Sequence, residues 1–161
     1  MNDKKLLALI EKDALIKKSQ LAAALGCSEA EVESAIARLE KDKVILGYNT
    51  MIDWDKTNRG GITAMIELKI SPVRGEGFDK VARRISKYPQ VTSVSLMSGS
   101  YDILLSIEGK SLQEVALFVS QKLATMEGVL STATHFVLKK YKEKGLSYDV
   151  AEGDMRGLYN L

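Results

Sequence analysis

The 161-residue sequence predicts an α+β chain: an N-terminal winged helix-turn-helix followed by a ferredoxin-like βαββαβ domain. Three observations carry that expectation. Residues 19–48 hold two short amphipathic runs, parted by Leu25-Gly26-Cys27-Ser28 and closed by Val44-Ile45-Leu46-Gly47-Tyr48. From residue 64 the pattern changes to strand-like and helix-like periods in the order β-α-β-β-α-β, a split βαβ arrangement. Between them lies IDWDKTNRGGIT, residues 52–63, a polar and glycine-bearing stretch that reads as a hinge.

The first helix is expected over about Lys4–Glu11, with Leu6, Leu7, Leu9 and Ile10 as its apolar face. The second opens at Ser19, a candidate N-cap, turns Leu21, Ala22 and Leu25 inward, and stops at Gly26, which tolerates a left-handed conformation. Ser28 and Glu31 have capping-box spacing for the third helix. Val32, Ala35, Ile36 and Leu39 then form one buried stripe. Val44-Ile45 and Tyr48–Met51 read as short strands of a wing around Gly47. In the second domain strands are expected at Thr63–Ser71, Val91–Met97, Tyr101–Glu108 and Val129–Tyr141, and helices at Gly77–Lys87 and Leu112–Met126. The boundaries are thus 1–51, a hinge at 52–63, 64–144, and a weakly patterned tail at 145–161. Helices on one face leave the other face of the sheet bare. If it is apolar, a second copy is its natural cover.

Composition narrows the function classes. The formal charge of +2 is nearly balanced and makes no case for a chain coated in nucleic acid. Residues 1–50 are neutral, with eight basic and eight acidic side chains, whereas 64–144 carry a net charge of +4. The opening MNDKKLLALIEKD is neither a secretory signal nor a membrane span. One cysteine excludes an internal disulfide framework and fits a reducing, cytoplasmic setting.

With these elements placed, the chain resembles the Lrp/AsnC family of transcription regulators over roughly residues 3–144. In the first domain the resemblance rests on Asp3-x-x-Leu6-Leu7, Leu21-Ala22, Gly26-x-Ser28, Arg38-Leu39-Glu40, Val44-Ile45-x-Gly47-Tyr48 and Asp53. In the second it rests on Tyr88-Pro89-x-Val91, Gly99-x-Tyr101-Asp102, Gly128-Val129 and Thr132-x-Thr134 before Phe136-Val137-Leu138. It implies a DNA-binding domain joined to a domain for effector binding and assembly. It also implies dimers that can build octamers, with an amino acid or similar metabolite bound between second domains.

The candidate DNA contacts are Lys17, Lys18, Ser28, Glu29, Glu33, Ala37, Arg38, Lys41 and Lys43, on the third helix and around it. Glu29, Glu31 and Glu33 sit in the first turns, and Ala35 and Ala37 stand where the family often has long polar residues. A glutamate accepts from cytosine N4 but repels phosphate, so weak, dimer-dependent binding to double-stranded DNA is expected. The same glutamates also suit the helix N-terminus through the macrodipole. Leu15 replaces a family arginine and is expected in a hydrophobic patch.

The candidate effector residues are Met97, Ser98, Gly99, Ser100, Tyr101, Asp102, Thr132 and Thr134. By the resemblance, main-chain N–H groups of the 98–102 turn hold a carboxylate and Asp102 an ammonium. Gly99 alone also has a structural reading, as the positive-φ residue of a two-residue hairpin. Thr132 and Thr134 point to one side of the last strand, and threonine has ordinary β-propensity besides. Met97, beside the loop, can supply an adaptable apolar wall, but core packing is its preferred reading. His135, the only histidine, faces away from the threonines and belongs to no metal-ligand spacing. Cys27 reads as a small core filler, and Tyr48 and Trp54 as packing between the domains.

The expected function is therefore a ligand-responsive transcription regulator, not an enzyme, with no cofactor, metal or membrane partner. Two alternatives stand beside it. One is an effector-binding assembly module with a decayed DNA reader, acting through hetero-oligomers. The other is a tetrapyrrole decarboxylase of similar architecture, disfavoured by the single histidine and by the lack of an arginine cluster beyond Arg83-Arg84.

Overall fold

The computed structural model describes residues 2–57, 59–71 and 77–148. The chain divides between Ile52 and Asp53 into two compact units.

The first unit holds α1 (Asp3–Lys12), α2 (Lys18–Leu25) and α3 (Glu29–Lys41). Leu6, Ile10, Leu21, Ala22, Val32, Ala35 and Leu39 meet in its core, with Cys27, Ile36 and Ile45 half-buried against it. Local sequence sets the helix ends. Gly26 ends α2 in the left-handed region at φ +67°. Ser28 caps α3, its Oγ accepting from Glu31 N–H, while Glu31 Oε2 accepts from Ser28 N–H at 2.8 Å.

Three expectations fail here. Lys17, not Ser19, is the N-cap of α2; its N–H donates to Gln20 Oε1, and Ser19 falls inside the helix. The wing strands do not form: residues 44–51 run without a ladder. Val44 and Ile45 N–H groups both turn back to the Leu39 carbonyl, and Lys43 closes the helix at φ +58°. This return leaves Val44-Ile45 capping a helix instead of pairing, and two-strand ribbons of this length are marginal in water. Leu15 joins no patch of the core; it is 92% exposed at a turn in which Asp13 Oδ1 accepts its N–H.

The second unit opens with a 3-10 turn at Trp54–Lys56, followed by β1 (Ile62–Ile70), α4 (Asp79–Ile85), β2 (Val91–Leu96), β3 (Ile103–Gly109), α5 (Leu112–Phe118) and β4 (Val129–Phe136). The antiparallel sheet has the order β2-β3-β1-β4, the ferredoxin-like topology expected. The helix α5 runs on into one π-helical turn at Val119–Leu123. Ala64, Ile66, Leu68 and Ile70 of β1 and Ile103, Leu105 and Ile107 of β3 face the helices and form the core with Val81, Ile85, Val115 and Leu123.

The last strand is shorter than expected and ends at Phe136. Residues 142–147 form a hairpin, β5 (Lys142–Glu143) and β6 (Leu146–Ser147), turned by Lys144 and Gly145, both at positive φ. That is the backbone of a tight primed turn, which Lys-Gly signals less clearly than Asn-Gly does. The tail from residue 149 onward lies outside the described residues.

The bare face is only partly apolar. Register and strand alternation place Met65, Glu67, Lys69, Ser93, Ser95, Leu104, Ser106, Ser131, Ala133 and His135 on it. Only Met65, Leu104 and Ala133 are apolar, so the face is small and polar with a narrow apolar strip.

Candidate functional site

The first candidate surface is the outer side of α3. Val32, Ala35 and Leu39 are buried, so the side opposite them presents Ala30, Ser34, Ala37 and Lys41, all exposed. Glu33 flanks this stripe at mid-helix.

Most of the acids that set the sequence expectation against DNA are engaged inside the unit. Glu31 closes the capping box, and the Ser28 N–H and hydroxyl hold its carboxyl below the ordinary range. Glu33 Oε1 sits 2.5 Å from Lys18 Nζ on α2, and that hydrogen bond, with the lysine charge, lowers its pKa. Glu40 accepts from the Tyr48 hydroxyl at 2.9 Å, and burial and that bond raise the tyrosine pKa. Of the four glutamates in α3, only Glu29 lacks such a partner among the described residues.

The same pairing removes cations. Arg38 NH2 bonds both carboxylate oxygens of Asp3, at 2.9 and 2.8 Å, tying α3 to α1 and raising the arginine pKa. Arg38 also lines a shallow concavity with Ala30, Glu31, Ser34 and Ala35. Of the expected phosphate ligands, Lys17, Lys41 and Lys43 carry no ion pair among the described residues, whereas Lys18 and Arg38 are occupied. Sequence spacing alone missed Asp3 and Glu33 as the partners that remove those two cations.

The second candidate surface is one end of the sheet. Met97 N–H donates to the Asp102 carbonyl at 2.8 Å, closing a loop of Ser98, Gly99, Ser100 and Tyr101. The loop is longer than the two-residue hairpin expected, and Gly99, at φ +139°, still occupies the region that favours glycine. Met97 is exposed and packs in no core.

Asp102 anchors the loop. Its N–H donates to the Leu68 carbonyl at 2.9 Å, and its Oδ2 accepts from Ile70 N–H at 2.8 Å, where the β1–β4 register shifts. Thr132 and Thr134 pair with Leu68 and Ile66, so both lie on the helix-facing side of the edge strand β4, half-buried. Ile103, Leu68 and Thr132 form one row across β3, β1 and β4, which puts loop and threonines at the same end of the sheet, about 10 Å apart across two strand spacings. His135 lies on the opposite face, with Nε2 3.3 Å from Glu67 Oε1.

Tyr48 and Trp54 each find a partner in their own unit: Tyr48 on Glu40, and Trp54 under the Arg59 guanidinium at 4.2 Å. No group of His, Cys, Asp and Glu among the described residues is arranged to hold a metal ion.

Comparison with known proteins gives the two units their relatives. Residues 2–45 match the family model described as winged helix-turn-helix DNA-binding, and residues 63–146 match the Lrp/AsnC ligand binding domain. The uncharacterized HTH-type transcriptional regulator YugG of Bacillus subtilis is 45% identical over 152 residues, covering 94% of this chain and 92% of that protein. The regulator FL11 of Pyrococcus furiosus is 28% identical over 88% of this chain and 90% of its own length. Among solved structures, MtbAldR superposes with a TM-score of 0.74 at 22% identity, covering 87% of this chain and 94% of that one. The regulator NMB0573 of Neisseria meningitidis, solved as its L-Met complex, superposes with a TM-score of 0.68 at 22% identity, over 86% and 89% of the two chains. Those superpositions show the same fold. The ligand-binding-domain match over half the sequence and the near-complete alignment with YugG together place the chain in the Lrp/AsnC family of transcriptional regulators.

Proposed function

We propose that the chain is a cytoplasmic transcription regulator that binds double-stranded DNA through α3 as a dimer and answers to an amino acid bound at the 98–102 end of the sheet. The observation that carries the DNA half is the outer stripe Ala30-Ser34-Ala37-Lys41, beside which Glu33 is ion-paired with Lys18, Glu31 closes the capping box and Glu40 accepts from Tyr48. A stripe of small side chains fits a major groove, and of the acids that motivated a decayed reader Glu33 is offset by Lys18 and Glu31 is folded back onto Ser28. Lys17, Lys41 and Lys43 supply phosphate contacts, and Ser28 and Glu29 stand at the start of the helix.

The effector half rests on the ligand-binding domain that the second unit matches and on the L-Met complex of NMB0573. Asp102 already accepts the Ile70 N–H through one oxygen, so its second oxygen is the one available for an ammonium. Ser98, Gly99, Ser100 and Tyr101 offer main-chain N–H groups to the carboxylate. Thr132 and Thr134, two strands away, belong to the same end of the sheet and line the site's margin. In the dimer, small side chains of the bare face (Ser93, Ser95, Ser106, Ser131 and Ala133) let two sheets approach closely around Met65 and Leu104. An octamer adds the contacts that enclose the effector.

Two measurements test this. Retardation of the chain's own upstream region at low salt is expected, and its absence at micromolar protein refutes the DNA half. A thermal shift with at least one of the twenty amino acids is expected by mass action, and no shift with any of them refutes the effector half.

A further inference from the structure

We propose that Glu33, held in place by Lys18, is the base-reading side chain of α3 and selects a cytosine in each half of the DNA site. The inference rests on the reading of the first unit as a DNA binder and adds which base it reads and with which residue.

Three of the six long polar side chains of α3 are committed elsewhere, Lys41 is a cation, and Glu29, four residues before Glu33, stands about 40° further round the helix from the outer stripe. Glu31 is folded back onto Ser28, Arg38 is held by Asp3, and Glu40 takes the Tyr48 hydroxyl. The stripe up to Lys41 is Ala30, Ser34 and Ala37, short residues that let the helix backbone lie close to the base edges and leave Ala30 and Ala37 for thymine methyls. Glu33 borders this stripe at mid-helix, exposed, and is the one long side chain there fixed by a partner that itself belongs to the docking surface. Lys18 opens α2, the helix that crosses the phosphate backbone in helix-turn-helix docking. A lysine between Glu33 and the phosphates offsets the repulsion that an isolated carboxylate would meet.

The chemistry then picks the base. An ionised carboxylate only accepts hydrogen bonds. In the major groove guanine offers two acceptors, and thymine an acceptor and a methyl. Adenine places the N7 acceptor beside its N6 donor, and cytosine alone presents a donor with no neighbouring acceptor on its own edge. Glutamine has the opposite preference, pairing in bidentate fashion with adenine N6 and N7.

The test is selection of duplexes from a randomised library at low salt by the full chain and by Glu33→Gln. The wild type is expected to fix one cytosine per half-site, with discrimination of roughly tenfold or more, and E33Q to move that position to adenine. Lys18→Met is expected to relax the preference and Lys18→Arg to keep it. The same motif from wild type and E33Q overturns the proposal, even if E33Q binds tighter overall, because Glu33 is then a brake on affinity and not a reader. Retardation by the wild type without any enriched base also overturns it and leaves DNA binding standing. No retardation of any duplex by the wild type overturns the DNA-binding reading as well.

Discussion

The salt dependence of DNA binding follows from which cations the fold leaves uncommitted. Lys17, Lys41 and Lys43 carry no ion pair among the described residues, whereas Lys18 is held by Glu33 and Arg38 by both oxygens of Asp3. A dimer then neutralises about six phosphates, and log K is expected to fall against log salt with a slope of about −5. Were Lys18 and Arg38 also on phosphate, about ten would be neutralised and the slope would be about −9. Between roughly 50 and 200 mM salt these are losses of about 10³ and about 10⁵ in affinity, far enough apart to separate. Fluorescence anisotropy of a labelled upstream duplex, titrated at several salt concentrations, reads the slope directly. Glu33→Gln releases one lysine per protomer and is expected to steepen it by about 2. A wild-type slope near −9, or no change in E33Q, refutes the claim that intramolecular pairing withholds these cations from DNA.

Four further outcomes are expected. Ser28→Ala removes the α3 cap and costs about 1 kcal/mol of stability, read as a lowered thermal midpoint of the first unit. The folded pKa of Glu31 is depressed by its bonds to Ser28, so its contribution is present above the unfolded carboxylate value and lost as pH falls through the folded one; wild type is expected to lose stability relative to Glu31→Gln as pH drops below about 4. Asp102→Ala orphans the Ile70 N–H and is expected to cost about 2 kcal/mol, whereas Asp102→Asn keeps an acceptor there, preserves most of the stability, and weakens binding of an ammonium-bearing effector in calorimetry. Gly128→Ala forces a side chain into φ +89° with its Cβ 3.4 Å from Val81 Cγ2, an expected loss of about 1–2 kcal/mol in thermal melts of the second unit.

Features governed by neighbours in sequence were legible without coordinates. Ser28 and Glu31, three residues apart, specify the start of α3, and Gly26 specifies the end of α2, because both act through backbone groups within one helical turn. The strand and helix order of the second unit was equally plain, since period-2 and period-3.6 patterning records which side each element buries. Elements lacking a sharp local signal were misplaced. The wing strands failed because Val44 and Ile45 had a helix carbonyl to satisfy them, and the hairpin at Lys144-Gly145 was missed because its turn residues are unusual.

The amino-acid order by itself determined two domains, their topology and their family, all of which depend on the spacing of apolar and turn-forming residues. Tertiary structure alone decided what the charges do. Glu33 meets Lys18 across 15 positions, Arg38 meets Asp3 across 35, and Asp102 meets the Ile70 amide across 32. A charge count along the chain sees the acids of α3 as a repulsive patch. Folding puts Glu31 into a cap, Glu33 into an ion pair and Glu40 onto a tyrosine hydroxyl, because Coulomb and hydrogen-bond energies depend on distance in space, not along the chain.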